Sequence, residues 1–482
     1  CQLTHEPILQ LAKRSKIEGN RAVRSKMPSP NSPLNYLRQI AIGSATGLIL
    51  LALIIGGFTL AAPKSSAPTN TPTNTPTETP TVTPTADARD CSIAELALDN
   101  RLVGLHAQVL NPATNEVLFD VQGDVPAQTA SVMKLLTATA ALQVLGPNYR
   151  VQTKVYADLD NPGHIVIIGA GDPTLSRVRA GVQSVYKDAP KLADLAVQIN
   201  EWARSTPITN ITLDSTYFEP EGWDPGNPET ERTIGYQSIV TALQVDGDRA
   251  NPTVLTSPRS TNPVNTAGVA LKKAIGPLAA SATLTEAKAG ENLLEIASVR
   301  SQPISKWINH MLQVSDNTQA EALARLVALD QGMSGSFASV DSAIKKALSP
   351  LGLNLSGMSI RDGSGLSDYN AVSPMVFAKL MQLVNKPGSG VELIRQGLPV
   401  AAESGSLADR FKGDNIDAAG HIFAKTGWIK KGYTLSGIIS AKDSSTLTFA
   451  VYALGDVKAD AKAAIDNLVT GFYRCGDQLS NQ

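Results

Sequence analysis

Metal-ligating residues are scarce in this 482-residue chain, which has five histidines and three cysteines. The histidines, at 5, 106, 164, 310 and 421, form no HxH, HExxH or HxxxH spacing, and no CxxC occurs, so a metal centre is not expected. An excess of one charge is missing too. The 42 Lys and Arg nearly balance the 43 Asp and Glu for a net charge of −1, which gives no electrostatic reason for a nucleic-acid partner. No internal repeat is visible, which excludes a solenoid. Gly169-Ala-Gly171 lacks the third glycine of GxGxxG, and Asp172-Pro173 reads as a turn. No cofactor of any kind is expected.

Basic residues do cluster at the start. Lys13, Arg14, Lys16, Arg21, Arg24, Lys26 and Arg38 stand against Glu6 and Glu18, and Ile40–Ala62 then carries no charge. At about 1.5 Å per residue that run is long enough to cross a bilayer core. The basic flank predicts residues 1–39 in the cytoplasm and everything after Ala62 outside, in the periplasm or cell-wall space. The rival is a cleaved signal peptide. The length of the run and Pro63 after its small residues favour an uncleaved, single-pass anchor in the cell membrane. Residues 63–88 are rich in Thr and Pro and predict a disordered stalk, extended at about 3.1 Å per residue where proline dominates. Cys91 and Cys475 lie near the two ends of what remains. Thiols outside the cytoplasm oxidise, so a Cys91–Cys475 disulfide is expected, with two buried free thiols as the alternative.

Leu105–Leu110 and Glu116–Val121 flank the turn residues NPATN and predict a hairpin. A helix is expected over Ser131–Leu145, stopped by Gly146-Pro147. Strands are expected at Val151–Tyr156 and His164–Ile168. Between 158 and 292 turn signals are frequent, with short apolar runs at Ile208–Leu213 and Gly268–Leu271 and another just beyond at Leu293–Ile296, so a β-rich insert is expected there. Helical spacing returns at Ile304–Gln313, Thr318–Leu329, Ser339–Leu348 and Pro374–Leu383. The C-terminal stretch holds strand candidates at His421–Thr426, Thr434–Ser440 and Leu447–Leu454, then a helix near Lys458–Tyr473. The economical arrangement is α+β. Residues 89–157 and 293–476 form one domain around an antiparallel five-stranded sheet with helices on both faces, and residues 158–292 are inserted into it.

Three short signals carry chemistry: Ser131-Val-Met-Lys134, Ser315-Asp-Asn317 and Lys425-Thr-Gly427. On a helix SxxK places Ser131 and Lys134 on one face. A serine hydroxyl is a weak nucleophile and needs an adjacent base. A buried lysine beside a second cation, here Lys425, can be deprotonated enough to serve. The free N–H of Ser131 and that of Trp428 are natural donors to an oxyanion. Ser315 and Asn317 fall between two helical runs, where a hydroxyl can relay a proton and an amide can hold substrate. Lys425 and Thr426 suit a carboxylate. SxxK alone is a weak signal, since it recurs at Ser184–Lys187 and Ser342–Lys345, and SxN recurs at Ser29–Asn31 and Ser260–Asn262. Only the set at 131, 315 and 425 puts the motifs in order at a helix start, a helix junction and a strand.

That ordered triple resembles the signature of penicillin-binding proteins and class A β-lactamases. The stretch from 92 to 475 is similar to the D-Ala-D-Ala carboxypeptidase/endopeptidase family, the low-molecular-mass class C penicillin-binding proteins. Gly171-Asp-Pro-Thr-Leu175, Gly222-Trp223, Asp362-Gly-Ser-Gly-Leu-Ser367 with Val372-Ser-Pro374, and Leu398-Pro-Val400 with Gly405-Ser-Leu407 add to the match. The long separation of Ser131 from Ser315 fits that family's insert and is too long for a β-lactamase. The resemblance implies a penicillin-binding-protein/β-lactamase-like fold. It implies Ser131 as nucleophile, Lys134 as its base, Ser315 and Asn317 as assistants, and Lys425, Thr426, Gly427 and Trp428 around the substrate. It also implies an acidic contact from the insert to the amino end of the stem peptide, a position Asp214 resembles. Two residues depart from the pattern: Trp428 stands where a Thr or Ser usually follows KTG, and Asp368 where a base is common.

The expected function is therefore a serine-type D-Ala-D-Ala carboxypeptidase, with endopeptidase cleavage by the same chemistry, acting on peptidoglycan stem peptides and acylated by β-lactam antibiotics. A β-lactam hydrolase of the same fold is the enzymatic alternative, distinguished by fast deacylation. A non-catalytic peptidoglycan-binding protein is the other, distinguished by failure to take up a penicillin label.

Overall fold

The computed structural model describes residues 89–480. The segments expected as cytoplasmic tail, anchor and stalk lie outside the described residues. Among the described residues no helix is long and apolar enough to cross a membrane.

The expected sheet forms from the first hairpin and the last three strands. Its order is Glu116–Val121, Leu105–Asn111, Thr446–Leu454, Gly432–Ser440, Ile422–Ile429, antiparallel throughout. Asn115 closes the hairpin in the left-handed region at φ 60, a conformation asparagine tolerates. The central strand Thr446–Leu454 is apolar almost without alternation because both of its faces are covered. Phe449, Val451 and Ala453 point to one side, toward Phe472 of the Ala461–Cys475 helix. Ala450 and Tyr452 point to the other, where Phe377 of the Pro374–Asn385 helix meets the Tyr452 ring edge-on. The strand Ile422–Ile429, which carries Lys425-Thr-Gly427, lies at an open edge. The fold is the α+β arrangement expected, with helices on both faces of the sheet.

The insert differs from expectation in composition and extent. Its sheet runs Thr283–Glu286, Asn210–Asp214, His164–Ile168, Gln152–Asp158, Leu293–Arg300. The boundaries drawn at 158 and 292 therefore cut off two of its strands. Gln152 pairs with Arg300 and Asp158 with Leu293, so the chain leaves and re-enters the larger domain on neighbouring strands. Nor is the insert mainly β. The helices Leu192–Ala203 and Pro263–Ile275 pack on its sheet through Leu195, Ile199, Val264 and Leu271. The run Gly268–Leu271, expected as a strand, lies within the second of these. Asn262 caps that helix by accepting the Asn265 N–H at 2.9 Å, and Pro263 follows in the first turn. Val264, Ala267, Leu271 and Ile275 then form one buried stripe, a periodicity that a four-residue window conceals.

Cys91 and Cys475 are joined as a disulfide, with Cα atoms 5.5 Å apart. Cys91–Ser92 also pairs in parallel with Leu479–Ser480. The bridge closes a loop spanning nearly the whole described chain, the case in which a cross-link most restricts the unfolded state. Replacing both cysteines by serine is expected to cost about 2–5 kcal/mol, read as a lowered midpoint in denaturant titration. An unchanged midpoint would show that the bridge constrains nothing of consequence.

Candidate active site

The nucleophile turn is built by close approach. Ala130 has φ 44, outside the comfortable range for a residue with a Cβ. Residues Ala130–Met133 form a 3-10 turn, and the helix proper begins at Lys134 and runs to Val144. Expectation had placed Ser131 in the helix. The tighter turn still sets Ser131 and Lys134 together, with Lys134 Nζ donating to Ser131 Oγ at 2.8 Å. Thr434 Oγ1 donates to Thr129 O at 2.8 Å and ties this turn to the sheet. Gly427 has to be glycine, because a Cβ there would stand 2.9 Å from the Ser131 amide nitrogen. The edge strand thus runs directly beside the nucleophile's backbone.

The second motif sits at a helix junction. Ile304–Val314 ends at Ser315, which turns the chain in the left-handed region at φ 60. Asp316 then caps Asn317–Asp330 by accepting the Gln319 N–H at 3.0 Å. Asn317 Oδ1 accepts Lys134 Nζ at 2.6 Å, and Ser315 Oγ accepts Lys425 Nζ at 3.0 Å. Lys134 Nζ gives its remaining hydrogen bond to Ser364 O at 2.7 Å. Ser131, Lys134, Ser315, Asn317 and Lys425 are therefore brought together by direct contacts.

Both lysines are wholly buried. Burial lowers Lys134 to about 8, against the opposing pull of Asp362, Glu321 and Asp316. Lys425 lies well below its ordinary value through burial and then through the charge of Lys134. Burial is the larger cause at both lysines, and the repulsion between them adds to it. A lysine near 8 is matched to proton abstraction at neutral pH.

Thr426 follows Lys425 on the edge strand, and its Oγ1 lies 2.6 Å from Ser406 Oγ. Trp428, on the edge strand beyond Gly427, leaves about half its surface in solvent, 54 %. Asp368 is exposed, and its backbone carbonyl accepts Gln128 Nε2 at 3.0 Å.

Asp214 belongs to the insert. It ends the strand Asn210–Asp214 and is buried. Its carboxylate accepts Thr216 N–H at 2.8 Å, Thr216 Oγ1 at 2.7 Å and Ala289 N–H at 2.8 Å. Those donors fasten two loops of the insert.

Several groups were invisible to motif reading. Asp316 Oδ2 accepts Arg249 Nη2 at 2.7 Å and Tyr186 OH at 3.1 Å, in a pair with almost no solvent contact. Burial pushes the Asp316 carboxyl up, but Arg249, His310 and Arg259 outweigh it and hold it well below its ordinary range. The insert thus reaches into the middle residue of the Ser315-Asp-Asn317 motif. Ser406 lies in a stretch that matches the family without a chemical motif of its own, and neither Glu321 nor Asp362 lies in one of the three motifs. Each depends on a contact between segments far apart in sequence.

Residues 90–267 and 252–473 match the D-Ala-D-Ala carboxypeptidase 3 (S13) family. The chain belongs to that family. A carboxypeptidase of Mycobacterium tuberculosis is 32% identical over 428 residues, covering 87% of this chain and 91% of the relative. Carboxypeptidase DacB of Mycolicibacterium smegmatis is 33% identical over 393 residues, covering 79% and 83%. The crystal structure of penicillin binding protein 4 from Haemophilus influenzae superposes with a TM-score of 0.67 at 18% identity, over 79% of this chain and 98% of that one. That similarity extends the family assignment to the fold.

Removing one partner of the Arg249–Asp316 pair leaves a buried charge without compensation. Arg249→Met is expected to destabilise the S13 domain by about 3–5 kcal/mol in chemical denaturation. A loss below about 1 kcal/mol, the scale of an exposed pair, would mean that Asp316 is held some other way.

Proposed function

We propose that this S13 protein is a serine D-Ala-D-Ala carboxypeptidase of peptidoglycan stem peptides, with Ser131 as nucleophile. The observation that carries the reading is the contact of Lys134 Nζ with Ser131 Oγ at 2.8 Å in a site where burial brings the lysine to about 8. Neutral Lys134 takes the hydroxyl proton as Oγ attacks the carbonyl between the two D-Ala residues. The Ser131 N–H, beside Gly427, and the Trp428 N–H donate to the oxygen that becomes negative. The C–N bond breaks, and the proton passes from Lys134, directly or through Ser315, to the departing D-Ala amine. Water then opens the acyl-serine by the same base. Asn317 holds Lys134 and the substrate amide. Lys425, Thr426 and Ser406 receive the terminal carboxylate, Ser406 supplying a hydroxyl where Trp428 has none. A β-lactam carbonyl enters the same attack. A peptide cross-link whose scissile bond follows a D-centre fits the same chemistry, which is the basis for endopeptidase cleavage.

Fluorescent penicillin is expected to label Ser131 of residues 86–482, and Ser131→Ala abolishes the label. The labelling rate rises with pH and levels off above about 8, because only neutral Lys134 accepts the proton. Stable label together with D-Ala release from a pentapeptide supports the carboxypeptidase. Rapid loss of label indicates a β-lactam hydrolase, and absence of label on the wild type sinks the enzyme. In the same assay Ser406→Ala raises KM for a peptide with a free C-terminal carboxylate about ten-fold, the cost of one hydrogen bond to a charged group, with little change for the amidated peptide.

For its setting, the uncharged run Ile40–Ala62 after a basic flank supports a membrane anchor with the catalytic domain outside the cytoplasm. The full chain is expected in the membrane fraction after high-salt and carbonate washing. Recovery in the wash would overturn the anchor.

A further inference from the structure

Lys134 is addressed by two residues of one helix. Asn317 and Glu321, one turn apart on Asn317–Asp330, share a face. Asn317 meets the lysine directly. Glu321 reaches it through the backbone of one residue, Ser364. Its Oε1 accepts the Ser364 N–H at 2.8 Å and its Oε2 the Gly363 N–H at 3.2 Å. Ser364 O is the acceptor of Lys134 Nζ. From the nucleophile's own helix, Thr137 Oγ1 donates to Gly363 O at 2.6 Å. Asp362 completes the loop by accepting the N–H groups of Gly365 and Ser367, both at 2.7 Å, and Asn370 Nδ2 at 2.9 Å. Glu321 and Asp362 are both buried, and neither makes an ion pair among the described residues.

We propose that Glu321 is the positioning residue of Lys134: it fixes the backbone of Gly363 and Ser364, whose Ser364 carbonyl receives the lysine, and its negative charge sets how readily Lys134 gives up its proton. The proposal rests on Lys134 being the base for Ser131. Two buried carboxyls side by side, offset only by the nearby Lys134 and Arg325, are an expensive arrangement, and a merely structural loop needs neither of them charged. The charged and titratable groups facing Glu321 are few. Asp362 comes from the loop and Lys134 from the nucleophile's helix. Arg325 stands one turn further along Glu321's own helix, and its guanidinium donates to the carbonyls of Glu219, Glu221 and Gly335. Burial first, and then Asp362, pushes the Glu321 carboxyl up. Deprotonated, Glu321 favours the protonated lysine. Without it, Lys134 becomes neutral at lower pH.

The test is the pH dependence of acylation by fluorescent penicillin, compared between wild type and Glu321→Gln. The expected result is an acid limb displaced by about one unit toward lower pH, from the lost negative neighbour. The plateau falls about ten-fold, since a side-chain amide cannot accept both N–H groups and the Ser364 carbonyl shifts. An acid limb at the wild-type pH, whatever the plateau, overturns the proposal. Should Glu321→Gln fail to fold, Thr137→Val loosens the same peptide without changing charge. It is expected to lower the plateau several-fold and leave the limb in place, and a wild-type plateau there equally overturns the positioning role. Failure of the wild type to be acylated sinks the enzymatic reading itself, whereas normal acylation with an unmoved limb in Glu321→Gln sinks only the role of Glu321.

Discussion

A buried ammonium has to find acceptors, and the three acceptors of Lys134 come from three parts of the chain. Ser131 lies in the turn before its own helix, Asn317 begins a helix far downstream, and Ser364 belongs to a loop further still. Burial without those bonds would cost several kcal/mol. Each segment is therefore held to the others by the requirement that one nitrogen be satisfied. The same requirement keeps the lysine only just protonated near neutrality, which is what a base for serine needs. Stability and reactivity at this site are two readings of one desolvated charge.

The surroundings allow that arrangement by close approach and local strain. Ala130 and Ser315 both occupy the left-handed region, each immediately beside or at a chemical residue. Such conformations cost about 1–3 kcal/mol each and persist where neighbours over-determine them. Gly427 brings the edge strand against the Ser131 amide, and Thr434 ties the preceding carbonyl to the next strand. The outer side of Ile422–Ile429 is paired with Pro399–Ala401 only as far as Ala424, and the edge beyond it, at the Lys425-Thr-Gly427 motif, has the geometry of strand addition for an extended peptide.

The main sheet was legible because its strands are apolar runs punctuated by turns, and the hairpin Leu105–Val121 and the three final strands fall close to where those runs predict. The chemical triple was legible because its members lie in short local motifs. What escaped depends on contacts across the chain. Helix Pro263–Ile275 shows its stripe only over three turns, so Gly268–Leu271 alone looks like a strand. The strands at 152 and 293 belong to the insert because they pair with each other, which neither segment reveals separately. Asp214 has the residue type of a substrate contact, and its second task, holding the N–H groups of Thr216 and Ala289, shows only in the fold. Arg249, Glu321 and Ser406 acquire their places through partners 67, 43 and 20 residues away.

The bond between Cys91 and Cys475 has a mechanical side. A strand at a chain terminus ordinarily peels when its end is pulled, one hydrogen bond at a time. Here a force applied at residue 89 meets a covalent link within two residues and passes into the helix Ala461–Cys475, which is packed along its length against the sheet. The hairpin that follows is shielded from that load. A domain loaded in this way resists as a whole, by shearing a helix from a sheet, and not by unzipping from its first strand.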